Sequence, residues 1–196
     1  MNRLASFSMA AFVAGHLVCA SPVLAQGKGA AALEGLADCT VGHPKWRNEA
    51  SAFLSLSQFS PEYTEQLKTL AWNEECDDYF KGMISFTPET FRKVLFDAWK
   101  ATRPDGEELN VTMMQMLADC LVLSSPELIA GFVETVPGSA AEEASIAQLA
   151  QKLPSCVDQG ASLNLTRASL REVLTSTAAL AKEVENSKEL KAEKDA

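Results

Sequence analysis

Leu36-Ala37-Asp38-Cys39 recurs as Leu117-Ala118-Asp119-Cys120, and each copy is followed by one further cysteine, Cys76 after 37 residues and Cys156 after 36. A chain that repeats its cysteines repeats the cross-links that restrict its fold, so this spacing constrains the architecture before any other feature is read. Beyond the second cysteine of each copy a skeleton returns: apolar-Thr-x-x-[Thr/Ser]-apolar-Arg-x-Val-Leu. It runs from Phe86 to Leu95 and again from Leu165 to Leu174, offset by 79 residues. Leu67, Leu70 and Ala71 align with Ile146, Leu149 and Ala150 at the same offset, and Pro44 matches Pro126 across a loop indel. Shared order and spacing point to the internal duplication of one unit.

Each unit reads as four helical pieces. The first carries its cysteine near its end, after Leu33, Leu36 and Ala37 or Val111, Met114, Leu117 and Ala118. The second follows a proline, at Lys45 or Glu127, and in the first unit shows an apolar face of Trp46, Ala50, Phe53 and Leu54. The third opens at Ser60-Pro61, with Glu62 and Glu65 suited to the positive end of a helix. The fourth opens at Thr87 or Thr166, whose hydroxyl suits an N-cap. Its inward stripe is Phe91, Val94, Leu95 and Ala98, or Leu170, Val173, Leu174 and Ala178. The β-prone stretches Met83–Phe86 and Ser162–Leu165 are placed to pair as a small two-stranded ribbon. The predicted class is therefore mainly α, as two tandem pseudo-symmetric repeats.

Residues 1–25 read as a secretory signal: Arg3, an apolar run from Leu4 to Ala20, and Val23-Leu24-Ala25 as a cleavage site. Ser6, Ser8 and His16 interrupt that run, which falls short of the ~20 apolar residues of a spanning helix, so no stable membrane anchor is expected after cleavage. Repeat 1 is assigned to 26–103, a Pro- and Gly-containing linker to 104–108, and repeat 2 to 109–182. The charge-alternating tail 183–196 is expected to fray or to be disordered. Cys19 leaves with the signal. The four remaining cysteines of an exported chain imply two disulfides, with three connectivities open. Duplication of a self-sufficient unit favours Cys39–Cys76 and Cys120–Cys156, because each unit would copy its own staple. Each loop of about 37 residues is then worth roughly 4 kcal/mol in chain entropy. The location implied is periplasmic or secreted.

From Gln26 onward the chain has 16 basic and 26 acidic residues, a net charge of −10. That disfavours nucleic acid and anionic membrane surfaces as partners. His43 is the one histidine left, which excludes His-rich metal sites, and its Gly-His-Pro setting suits a solvated loop. Glu74-Glu75-Cys76-Asp77-Asp78 lacks the alternating D-x-D-x-D-G pattern of a calcium loop and reads as a charged turn. With no C-x-x-C, nucleophile elbow or phosphate loop, no catalytic residue, metal or cofactor is assigned. The N-x-T sequences at Asn110 and Asn164 matter only in a eukaryotic secretory route. Aromatic residues are distributed unevenly: all three tryptophans lie in the first unit, and the second holds Phe132 alone. Trp72 and Phe96 fall off the core stripes of their helices, and their partners, Gln151 and Thr175, are polar. They are the candidate binding residues, with burial between the units or under the N-terminal segment as the competing account.

The paired LADC segments and the Phe-Thr-Pro…Phe-Arg…Leu motif resemble small exported two-repeat, four-cysteine proteins of alphaproteobacteria, particularly sphingomonad-like ones. The second unit departs from that pattern at Leu165 and Arg167. The resemblance implies location and architecture and brings no activity. The expected function is a non-enzymatic, disulfide-stabilised cell-envelope protein that binds another protein. A carrier of a small apolar ligand held between the units is the alternative, and a hydrolase with scattered carboxylates the third.

Overall fold

A computed structural model describes residues 23–76, 86–157 and 163–194, the side chains of 23–28 and 193–194 excepted. The predicted signal segment lies outside the described residues except for its last three positions, and Met83–Ser85 lie outside them altogether. Among the described residues eight α-helices form: α1 Val23–Gly42, α2 Pro44–Ser55, α3 Pro61–Ala71, α4 Pro88–Ala101, α5 Gly106–Ser124, α6 Pro126–Val133, α7 Ala140–Ala150 and α8 Arg167–Lys194. A short 3₁₀ turn leads into Cys156. Both expected disulfides are present, Cys39–Cys76 and Cys120–Cys156, with Cα atoms 5.8 and 5.7 Å apart. Such bonds belong to an oxidising compartment.

Local chemistry sets the helix ends. Proline occupies the first turn of α2, α3, α4 and α6, where its missing N–H costs nothing. Ser60, Thr87 and Ser139 accept the N–H three residues on, and Asp105 accepts those of Glu107 and Glu108. Because Asp105 caps there, α5 starts at Gly106, inside the segment read as linker. Thr166 takes the N–H of Ser169 at 3.0 Å, as expected for the start of the last helix. Residues 183–194 are expected as a fraying helix end or as disorder. They continue α8 as helix to Lys194, since the stretch is rich in Lys and Glu and contains neither Gly nor Pro.

Apolar side chains gather into two cores. One joins Leu36, Phe53, Leu54, Leu70, Phe91, Leu95 and Trp99 with the Cys76 sulfur. The other joins Leu117, Leu121, Ile129, Phe132, Leu149 and Leu174, with Cys156 packed against it. The buried face of α2 is the anticipated Trp46, Ala50, Phe53 and Leu54. Helix α1 packs along α4 and α5 along α8, while α2 meets α5 across the boundary between the halves.

The anticipated ribbon falls largely outside the described residues, which omit Met83–Ser85 and Ser162; among the described residues there is no strand. The Asn110 carboxamide donates to Asn164 O at 3.3 Å and accepts from Asn164 N at 2.9 Å, tying the segment before α8 to the start of α5.

Candidate functional site

Trp72 and Phe96 part company. Trp72 caps the C-terminus of α3 and is 79% exposed. Phe96 is 5% exposed and packs against Trp99, ring centroids 6.1 Å apart, with Lys100 Nζ 6.0 Å from its centroid. The two do not form one aromatic surface. Helix α4 is covered on two flanks: Phe91 and Leu95 enter the N-terminal core, while the Phe96 flank turns toward Met113 and Met116 of α5. A residue that is off-stripe for one neighbour is on-stripe for the other.

That second flank borders a half-open cleft of about 480 Å³ between the halves. Phe96, Met113, Met116, Val157 and Leu163 give it apolar walls, the Cys120–Cys156 bridge lies on one side, and Lys93 and Lys100 stand on the α4 side. A larger, open trough of about 830 Å³ runs between α6 and the second half of α8. Val122, Ile129, Val133, Ala178 and Ala181 line it, with Glu134, Lys182, Glu185 and Lys188 among its charged members. Leu123, 58% exposed, is part of the trough, and Leu190, 61% exposed, lies just beyond Lys188 on α8.

Two arginines of the repeated skeleton organise the surrounding frame. Arg92 is buried and donates to the carbonyls of Leu54 at 2.9 Å and Leu56 at 2.6 Å, closing the end of α2. Its other amino group meets Asp119 of α5 at 2.5 Å. Asp119 also accepts from Ser57 Oγ, the Gln58 N–H and Gln115 Nε2, at 2.8, 3.1 and 3.0 Å. Arg171 does the same for α6, reaching the Phe132 and Val133 carbonyls and Thr135 Oγ1. Its counter-charge is Glu142, 2.7 Å away on α7 and buried. The Gly138 N–H, donating at 2.6 Å, holds the Glu142 carboxyl below the usual carboxylate range, and Arg171 reinforces this.

Sequence reading quoted both arginines within the motif without assigning them a task. The signal was there: a charged residue repeated beside an apolar stripe needs a buried partner. Tyr63, at the position in α3 that Glu142 holds in α7, lies under the Arg92 guanidinium, 5.4 Å from ring centroid to Cζ. Burial pushes its hydroxyl up to about 12.

Other candidates resolve plainly. Within the acidic run, Glu75 accepts the Trp46 indole N–H at 2.7 Å and meets Lys45 at 3.5 Å. The indole bond, with help from Lys45, keeps its carboxyl below the ordinary range. His43 is half-buried in the one-residue break between α1 and α2, less solvated than a free loop would leave it. Among the described residues, no group of three or more His, Cys, Asp or Glu could hold a metal ion. Nor is any single described helix long and apolar enough to cross a membrane; the bent pair α5–α6 passes that test only together. No family model, curated protein or solved structure matches the chain.

Proposed function

We propose that this chain is a non-enzymatic, exported envelope protein whose α6–α8 trough receives an amphipathic helix of a protein partner. One observation carries the reading: the trough is long, apolar and open. Its α8 wall extends from Thr175 to Lys188, about 20 Å of helix at 1.5 Å per residue. A trough open along its length leaves much of a small ligand in water, whereas an amphipathic helix needs only one face covered. Charges of both signs, at Glu134, Lys182, Glu185 and Lys188, suit the alternating polar edges of such a helix.

Catalysis finds little support. The Asp119 oxygens receive four donors, and Glu142 and Glu75 are each engaged by donors that favour the charged form, so none is poised as a general base. We infer further that the halves derive from one duplicated unit. The matching order of four helices, the two within-half disulfides and the two helix-closing arginines support this. So does the likeness to exported alphaproteobacterial proteins, which with the two disulfides also supports a periplasmic or secreted location.

The test is affinity capture from the native envelope with wild type, Ala179→Arg and Trp72→Ala chains. Ala179 is exposed within the trough, so the arginine leaves the core intact. The expected result is a partner lost with Ala179→Arg and retained with Trp72→Ala. A partner that survives Ala179→Arg, or vanishes with Trp72→Ala, refutes the trough as the docking site.

A further inference from the structure

We infer, resting on the trough reading above, that the helix received by the α6–α8 trough is α8 of a second copy of this chain, laid antiparallel about a twofold axis. Thr175, Ala178, Lys182, Glu185, Glu189 and Ala192 recur at intervals of three and four along α8, the spacing of a coiled-coil seam. The first four line the trough, and of the six only Ala178 is half-buried while the rest are exposed. From Glu185 to Ala192 every side chain of α8 is exposed, so these turns project past the core of their own chain.

Charge and size select the orientation. In a parallel pair each charge of the seam would meet its own like. In an antiparallel pair with Lys182 of each copy opposite Glu185 of the other, two ion pairs form at the centre, because in a twofold contact each copy returns what it receives. Among the described residues neither Lys182 nor Glu185 has an ion-pair partner in its own chain. The same register sets Glu183 opposite Val184, Lys188 opposite Ala179, Glu189 opposite Ala178 and Lys191 opposite Ser176. No like charges meet, and long side chains lie over small ones. The seam itself is poor in large apolar residues, and the burial comes from the trough. There the aliphatic stems of Lys188 and Glu189 cover Val122, Leu123, Ile129 and Val133 of the other copy. The overlap from Thr175 to Ala192 is about 27 Å of helix at 1.5 Å per residue. Each strip, about 10 Å wide, meets the opposing helix and the floor of the opposing trough, so the pair buries on the order of 1,000 Å². That is the lower limit of a specific interface, so the dimer is reversible and forms as concentration rises.

Sedimentation velocity of the purified, disulfide-bonded protein tests this, over a concentration series at low ionic strength, where exposed charges are least screened. Wild type is expected to pass reversibly from monomer to dimer. Lys182→Glu and Glu185→Lys each turn both central pairs into like charges and are expected to weaken dimerisation about tenfold. Mixed with each other, the two variants regain opposite charges at both places and are expected to form a heterodimer of near wild-type affinity. Both substitutions fall at exposed positions, so the circular dichroism spectrum should be unchanged. A wild type that stays monomeric, variants that dimerise as tightly as wild type, or a mixture that dimerises no better than its components overturns the inference. The trough reading stands or falls separately. A monomeric wild type whose envelope partner is lost with Ala179→Arg refutes the second copy as occupant and keeps the trough, whereas a partner that survives Ala179→Arg refutes the trough itself.

Discussion

Asp119 and Asp38 occupy the same place in the two LADC segments, yet removing them should have unequal consequences. Asp38 is exposed, and Asp38→Ala is expected to change stability by no more than about 0.5 kcal/mol. The Asp119 side chain is 3% exposed, accepts four hydrogen bonds, and faces an arginine that is itself 6% exposed. Asp119→Ala leaves the Arg92 guanidinium buried without a counter-charge, and breaking such a pair costs about 3–5 kcal/mol. With a urea m-value of about 2 kcal/mol/M, the midpoint should fall by about 1.5–2.5 M at constant m. Replacing both partners, as Arg92→Met with Asp119→Leu, removes the stranded charge and should cost less than Asp119→Ala alone. Chemical denaturation followed by circular dichroism reads all three. If Asp38→Ala and Asp119→Ala shift the midpoint equally, the reasoning from the buried network fails.

Three other outcomes follow from the geometry. Cys39→Ser/Cys76→Ser is expected to lose about 4 kcal/mol, the chain-entropy value of its loop, measured against the oxidised wild type in urea; a loss under 1 kcal/mol would refute it. Tyr63, with its pKa raised to about 12, stabilises the fold fully below the unfolded value near 10 and ceases to do so as pH rises through 12. Alkaline unfolding should therefore begin in that window for wild type and show a weaker pH dependence in Tyr63→Phe. Glu142 has the opposite sign. Its lowered pKa contributes stability above the unfolded carboxyl value that is lost as pH falls through the folded one, so Glu142→Gln should flatten the acid limb of a melting-temperature profile.

Much of the frame was legible because it is written locally. Proline positions, Ser and Thr caps, and the stripes of α2, α4 and α8 all depend on neighbours within a few residues. The cysteine pairing was legible because the repeat reduced three connectivities to one that each half could form alone. What escaped was non-local. Phe96 could not be assigned from the period of its own helix, because a helix with two covered flanks has two apolar stripes. The tasks of Arg92 and Arg171 depended on which carbonyls and carboxylates the chain brings back to them, 36 or more residues upstream in the case of the carbonyls. For the tail, alternating charges forbid a core stripe but leave backbone propensity free to continue a helix.

The two arginines also fix an order of dependence. Arg171 finds its counter-charge, Glu142, within its own half, whereas Arg92 finds Asp119 in the other. The Arg171–Glu142 pair is thus internal to the C-terminal half, whereas the Arg92–Asp119 pair spans the two halves. A chain is made from its N-terminus, so Arg92 emerges before α5 brings its buried counter-charge, Asp119. A truncation after Arg103 should therefore leave a segment that can still form Cys39–Cys76 but packs loosely around Arg92.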